Sequence, residues 1–339
     1  MQKKGVLLIN LGTPDSPSVK DVRKYLTEFL NDPYVIDINW LARTLLVNLV
    51  IVPFRAPKSA EIYQKLWTEK GSPLLYYSEE VQEKLQKELG GNYGVHLAMR
   101  YKNPSMDKVI AEMEKENYSE IVVIPLYPQY ATSSTKTSIE KANKLFAKWT
   151  KKPSINYVEH FYNHPQFIDT IIEQTKQYNL SEYDHILFSY HGLPIRQLTK
   201  VHGGKTCEEL NCKTEINEHN QYCYQAHCYE TTRLIVDKLQ LKSEDYSIGF
   251  QSRLDDKWIK PYSDKLVAQF AKEGKKKLLV FSPAFVADCL ETTIEISDEY
   301  QEIFENNGGD KIQLVPSLNS HPKWITTLHQ LVKENEIKK

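Results

Sequence analysis

The sequence predicts an α/β protein of two similar, doubly wound domains, each a four-stranded parallel sheet flanked by helices. Eight short apolar runs alternate with longer amphipathic segments, four runs in each half of the 339-residue chain. The leading run of each half also ends alike, in Asn10-Leu-Gly-Thr-Pro14 and Tyr190-His-Gly-Leu-Pro194. Continuous apolar runs are what strands covered on both faces require, and the helices between them imply right-handed crossovers.

In chain order, the first strand is 5–11 (GVLLINL), followed by an amphipathic helix over 18–31. The stretch 41–54, LARTLLVNLVIVPF, has 14 residues with Arg43 inside it, too short for a bilayer that needs ~20. It reads either as a core helix or as an exposed apolar lip beside a binding cleft. Helices 77–89, 105–117 and 135–149 then alternate with strands 94–99, 120–126 and 153–158, completing a first domain over 1–160. The second domain, 161–320, takes strands 184–190, 246–250, 277–283 and 312–316, with helices 164–178, 229–240 and 290–306. A last helix, 322–336 within 321–339, is expected to pack back on the first domain. In such sheets ligands bind beyond the carboxyl ends of the strands.

A net charge of −1 argues against nucleic-acid binding through bulk positive charge, and Lys275-Lys276-Lys277 reads as a solvated turn. With neither a Walker A motif nor G-x-G-x-x-G, no nucleotide cofactor is expected. The apolar run after Met-Gln-Lys-Lys is too short for a secretory signal, so a cytoplasmic protein with reduced thiols is expected.

Three groups beyond strand ends could carry chemistry. His191 ends an apolar strand before Gly192, which permits a sharp turn, so its imidazole is placed to accept protons or bind metal near neutral pH. His185, at the start of the same strand, reads as structural. In FSPAFVADCLETTIEISDE (281–299), Glu291, Glu295 and Glu299 fall at i, i+4 and i+8 on one helix face after Asp288, with no lysine interleaved before Glu302. Either the row attracts a divalent cation or it is an acidic surface helix. Arg100, Tyr101 and Tyr130, with the hydroxyls of 132–135, suit a large aromatic ligand bearing carboxylates; the hydroxyl run also suits helix capping. Finally, Cys207, Cys212, Cys223 and Cys228 crowd into C-x4-C-x10-C-x4-C, a spacing unlike common zinc ribbons or plant-type ferredoxins.

The motifs LINLGTPDSP (8–17), LTEFLNDPYVID (26–37), GSPL (71–74), PLYPQYATSST (125–135), SYHGLP (189–194), FQSR…W…PY (250–262) and AFVADCLETTIEI (284–296) run in order along nearly the whole chain. Together they closely resemble ferrochelatase. The resemblance implies a chelatase-like fold of two Rossmann-like domains with the cleft between them, and insertion of Fe²⁺ into protoporphyrin IX or coproporphyrin III. By family likeness His191 and Glu291 face each other across the macrocycle and handle metal and pyrrole protons. Asp288, Glu295 and Glu299 match an acidic ladder, and Arg100, Tyr101, Tyr130, Trp258 and Phe285 match porphyrin-wall positions. Leu11 stands where relatives carry Met or Tyr, and Cys289 where some carry His, so Cys289 is a soft ligand or a packing residue.

The four-cysteine stretch is an insertion after HGLP, ending at Gln221-Tyr-Cys-Tyr224 where many members read Gly-Asp-Pro-Tyr. Some bacterial ferrochelatases hold a [2Fe–2S] cluster with cysteines in this region, so the resemblance implies such a cluster, with Zn²⁺, or free thiols or disulfides, as alternatives. The apolar substrate implies peripheral association with the inner face of the membrane. A non-catalytic tetrapyrrole carrier, or a cobalt or nickel chelatase on the same fold, are the competing functions; a carrier would not need His191 and Glu291 together.

Overall fold

The computed structural model describes residues 3–337. Its described residues contain two four-stranded, all-parallel sheets. The first comprises β1 (Lys4–Asn10), β2 (Tyr93–Met99), β3 (Glu120–Pro125) and β4 (Ser154–Tyr157), in the order β2-β1-β3-β4. The second comprises β5 (His185–His191), β6 (Tyr246–Gln251), β7 (Lys277–Phe281) and β8 (Lys311–Leu314), in the order β6-β5-β7-β8. In both sheets the first strand of the half is central. Val6 to Ile9 and Ile186 to Tyr190 are accordingly buried on both faces, which is why these runs do not alternate. All eight strands form where the apolar runs place them.

The helices are α1 (Val19–Leu30), α2 (Trp40–Leu45), α3 (Val52–Leu66), α4 (Pro73–Leu89), α5 (Met106–Lys115), α6 (Thr137–Phe146), α7 (Pro165–Thr175), α8 (Ile195–Val201), α9 (Tyr224–Leu239), α10 (Ser263–Lys272), α11 (Gln301–Asn306) and α12 (Pro322–Glu334). Three segments, Leu46–Ile51, Thr132–Lys136 and Leu290–Tyr300, wind as wider i→i+5 π-helix. Helix α8 and helix α10 were not singled out by the sequence pattern.

The chain forms two compact units. One holds the chain up to Tyr127, Thr132–His160 and the chain from Ser320; the other holds Pro128–Ala131 and Phe161–Asn319. In the first, α5 and α6 cover one face of the sheet through Met106, Ile110, Met113, Ala142 and Phe146, and α12 packs on α4. In the second, α10 and α11 close a core around Leu187, Val267, Leu278, Val280 and Phe304.

The 41–54 stretch is helical, but only Val47 and Val52 of its large apolar side chains are buried. Trp40 and Phe54 are 68% and 74% exposed, and Leu41, Leu45, Leu49 and Val50 are exposed beside them. The segment is therefore an apolar surface rather than a core helix. Among the described residues no helix is long and apolar enough to cross a membrane.

Candidate active site and thiol centre

In the second unit, β5 ends at His191, opposite Gln251 at the end of β6 in the parallel register. The next residue must be glycine: a Cβ on Gly192 would lie 2.7 Å from the Gln251 carbonyl oxygen. That close approach lets the Gly192 amide donate to the same carbonyl at 2.8 Å. Leu193 accepts from the Ile259 amide, and the Ile195 amide donates to Lys257, so the loop is pinned to the segment carrying Trp258. The imidazole of His191 sits edge-to-face with Trp258 and Phe285, at ring distances of 6.4 and 6.3 Å.

His191 Nδ1 is buried without a hydrogen-bond partner. Burial lowers the imidazole below its ordinary value of 6.5, and the nearby Glu291 charge raises it part of the way back. Burial thus favours the uncharged form of this desolvated ring, and the Glu291 carboxylate is near enough to oppose that shift.

Glu291 opens the π-helical turn Leu290–Tyr300 that follows β7. Cys289 caps this turn: its amide donates to the Thr292 hydroxyl at 2.9 Å, and burial raises its thiol well above the ordinary value. Four donors hold Glu295: the Gln251 side chain at 3.1 Å, the Ser252 amide at 2.8 Å, the Ser252 hydroxyl at 2.5 Å and the Tyr300 hydroxyl at 3.2 Å. Ser252 adopts a left-handed φ of +60° to offer both its groups, a strained conformation offset by these charge-assisted bonds. Burial nonetheless raises the Glu295 carboxyl above its ordinary value.

The other acidic residues differ. Asp288 accepts from the Asn319 side chain at 2.7 Å and the Ser317 amide at 3.0 Å, which fixes the chain after β8. Glu299 is exposed on the last turn.

Of the aromatic and basic residues, Trp258 and Phe285 flank His191. Tyr130, also in the second unit, donates its amide to His227 Nδ1 at 3.1 Å and packs edge-on against Tyr222. In the first unit, Arg100 is tied to Asp32 and donates to the Thr137 hydroxyl at 2.9 Å, bordering a cavity of ≈300 Å³. Tyr101 lies beneath it, fully buried, with its hydroxyl donating to Asp32 at 2.9 Å. Tyr101 thus offers no surface of its own and supports Arg100, whose guanidinium stacks on its ring.

The cysteine stretch folds into a compact loop between α8 and α9. Donor atoms of Cys207, Cys212, Cys223 and His202 all lie within 4.8 Å of one another, with Cys207 Sγ 3.8 Å from Cys223 Sγ. Within the group, hydrogen bonds from Cys207 and then Cys223 draw the Cys212 thiol below its ordinary value of 9.0. His202 Nδ1 lies 3.3 Å from the Lys205 carbonyl oxygen, which selects the tautomer leaving Nε2 unprotonated; Nε2 is buried and unpartnered. A backbone carbonyl behind a ring nitrogen is the usual support of a metal-ligating histidine. The residues therefore fit a thiolate-bound metal.

Cys228, the fourth cysteine of the spacing, stands outside this group. It is fully buried, in the first turns of α9. His202 was missed because it lies five residues before the first cysteine, in a turn whose closure only the fold reveals. Gln251, Ser252 and Tyr300 were missed as well; FQSR was visible as a motif, but not its grip on Glu295.

A family model described as ferrochelatase matches residues 3–336. The ferrochelatase of Coxiella burnetii (strain CbuG_Q212) is 43% identical, over 98% of this chain and 94% of that protein. The ferrochelatase of Legionella pneumophila (strain Paris) is also 43% identical, over 98% of this chain and 99% of its own length. Among solved structures, SirB from Bacillus subtilis with Fe³⁺ superposes with a TM-score of 0.57 at 10% identity, covering 98% of this chain and 95% of that one; that likeness concerns the fold. Identity of this extent, spanning both sheets, the His191 loop and the acidic turn, leads to one assignment: the chain belongs to the ferrochelatase family.

Proposed function

We infer that this chain inserts Fe²⁺ into a porphyrin for haem synthesis, acting as a metal chelatase. The observation that carries the site assignment is His191, a buried, unpartnered imidazole held below its ordinary pKa, with the Glu291 charge near enough to oppose that shift. Insertion releases two pyrrole N–H protons as the dication enters, so the macrocycle's charge balances only if a nearby group takes them. His191, its uncharged form favoured by burial, accepts a proton, and Glu291 supplies a carboxylate for the metal or the second proton. Glu295, fixed by four donors, serves as a rigid anionic step behind them, with Glu299 at the exposed end and Asp288 anchoring the turn. Trp258, Phe285 and Tyr130, all of the second unit, offer aromatic surface to the porphyrin.

The assay is anaerobic, with Fe²⁺ and protoporphyrin IX or coproporphyrin III. His191→Ala should lose roughly 10²-fold or more in kcat, the scale of a positioned proton acceptor. Unchanged turnover removes His191 from the mechanism.

The thiol group is proposed to hold a resident metal centre: a [2Fe–2S] cluster with Cys228 as its fourth ligand, which the four-cysteine spacing and the family resemblance support. A specific observation, the unpartnered His202 Nε2 beside three sulfurs, favours a second reading, a tetrahedral Cys3His zinc site. Visible absorption lost in Cys228→Ala supports the cluster. Stoichiometric zinc in a colourless protein, lost in His202→Ala, supports the zinc site. The apolar surface from Trp40 to Phe54 is proposed to rest on a lipid surface.

A further inference from the structure

One imidazole joins the inserted loop to the segment carrying Tyr130. Residues 128–131 belong to the second unit although the chain on either side of them belongs to the first, and two side chains one turn apart on α9 hold them there. The Tyr130 amide donates to His227 Nδ1 at 3.1 Å, which leaves the ring proton on Nε2, and Nε2 donates it to the Gln221 carbonyl oxygen at 2.8 Å. Both nitrogens of this fully buried ring are therefore committed, one to each segment. Tyr162 stacks on the same ring, with centres 3.7 Å apart and planes 16° apart, and fixes its orientation. Four residues on, the Thr231 hydroxyl accepts from the Gln129 side chain at 3.1 Å; that amide also lies 3.5 Å from the Pro283 carbonyl oxygen, two residues before Phe285. The loop end of the link is fixed as well. Gln221 and Tyr222 lie in a turn closed by the Cys223 amide on the Asn220 carbonyl at 2.8 Å. The buried Asn220 side chain donates to the Leu210 and Glu215 carbonyls at 3.0 and 2.9 Å and accepts from the Asn217 amide at 2.7 Å. None of these bonds uses a sulfur. The turn presents Tyr222, 38% exposed, edge-on to Tyr130 with ring centres 5.1 Å apart.

We propose that the inserted loop is part of the porphyrin-binding surface: His227 is a positioning residue that ties Tyr130 to the loop, and Tyr222, held alongside, adds a second aromatic face for the substrate. The proposal rests on the reading of Tyr130 as porphyrin wall. A large flat macrocycle is gripped chiefly through aromatic and apolar surface, and two rings meeting edge-on form a broader corner than either alone. His227 reaches this wall through the Tyr130 main chain and takes no part in proton transfer. Its effect therefore falls on porphyrin affinity, held equally in the bound and reacting states, and leaves the chemical step alone.

The test uses the full chain, with protoporphyrin IX or coproporphyrin III affinity read by fluorescence titration without Fe²⁺, and turnover read separately. His227→Phe keeps a ring to stack on Tyr162 and removes both hydrogen bonds. It should weaken porphyrin binding roughly tenfold, with kcat at saturating porphyrin within about twofold of the unsubstituted chain. His227→Asn, whose Oδ1 stands where Nδ1 does and still accepts from Tyr130, should recover most of that affinity. On a Tyr130→Ala background the effect of His227→Phe should largely disappear, because the two act as one unit. Tyr222→Ala should weaken binding several-fold and Tyr222→Phe should not; this ring is at the surface, so these variants fold whether or not a buried change at His227 is tolerated. Hydrogen exchange over 126–131 gives a readout independent of substrate, faster in His227→Phe and unaltered in Tyr222→Ala. The proposal is overturned if His227→Phe binds porphyrin at full strength, if its loss falls on kcat alone, if His227→Asn binds no better than His227→Phe, or if Tyr222→Ala binds normally. Full affinity in Tyr130→Ala would instead overturn the reading of Tyr130 as porphyrin wall.

Discussion

Two histidines on one strand show how placement decides chemistry. His185 and His191 are the first and last residues of β5. His185 Nε2 lies 2.9 Å from the Ser247 hydroxyl, and burial, with Lys275 adding to it, lowers its pKa to about 4. A base whose folded pKa is depressed takes its proton first in the unfolded chain, so its contribution to stability is complete above 6.5 and lost as pH falls toward 4. His185→Gln, which keeps a hydrogen-bonding side chain without the titration, should flatten the acid slope of unfolding free energy between those values. Urea unfolding at stepped pH reads this, and identical slopes would remove His185 as a source. The sequence already separated these two histidines by their ends of the strand, because strand direction follows from the apolar run and the Gly192 turn. It could not supply Gln251, Ser252 or His202, since their roles depend on which loops meet beyond the strand ends.

At the scale of elements, the buried strands were legible because each apolar run can be satisfied only by cover on both faces. The segments with wider turns were less so. In Leu290–Tyr300 the acidic residues recur every four positions, as in an α-helix, yet the turn is i→i+5 and distributes them unequally: Glu295 is gripped while Glu299 is exposed. Sequence spacing alone does not distinguish these winding states. The 41–54 run is ambiguous for a different reason, since its apolar residues suit either a core or a surface, and of its large apolar side chains only Val47 and Val52 turn inward. An exposed apolar face of this kind costs solubility unless something covers it. If that cover is lipid, Trp40→Ser with Phe54→Ser should reduce co-flotation with phosphatidylglycerol-containing vesicles several-fold, with thermal stability unchanged because both side chains are exposed. Equal flotation of the two proteins would exclude this face as the lipid contact.

At the scale of the whole molecule, the same parallel strand plan is built twice, and the chain then returns to the first unit. That return is a substantial part of the unit's core. Trp324, Ile325, Leu328, Leu331 and Val332 of α12 are buried, each such side chain stabilising by roughly 1.5–3 kcal/mol. Their sum is on the order of 10 kcal/mol, comparable to the ~5–15 kcal/mol net stability of an entire domain. Polar ties add to it: Glu336 binds Lys4 at 2.7 Å and accepts from the Tyr93 hydroxyl at 2.5 Å, fastening the end of the chain to the starts of β1 and β2. Ion pairs near the surface contribute little by comparison, so the apolar face of α12 governs. Ending the chain at Asn319 should therefore leave the first unit unable to fold cooperatively, whereas Leu328→Ala should keep it folded at a loss of ~2–5 kcal/mol. Calorimetry distinguishes the two: the shortened chain should lose the first unit's transition, and Leu328→Ala should lower its midpoint. A shortened chain that melts like the full one would mean that α12 decorates the first unit instead of completing it.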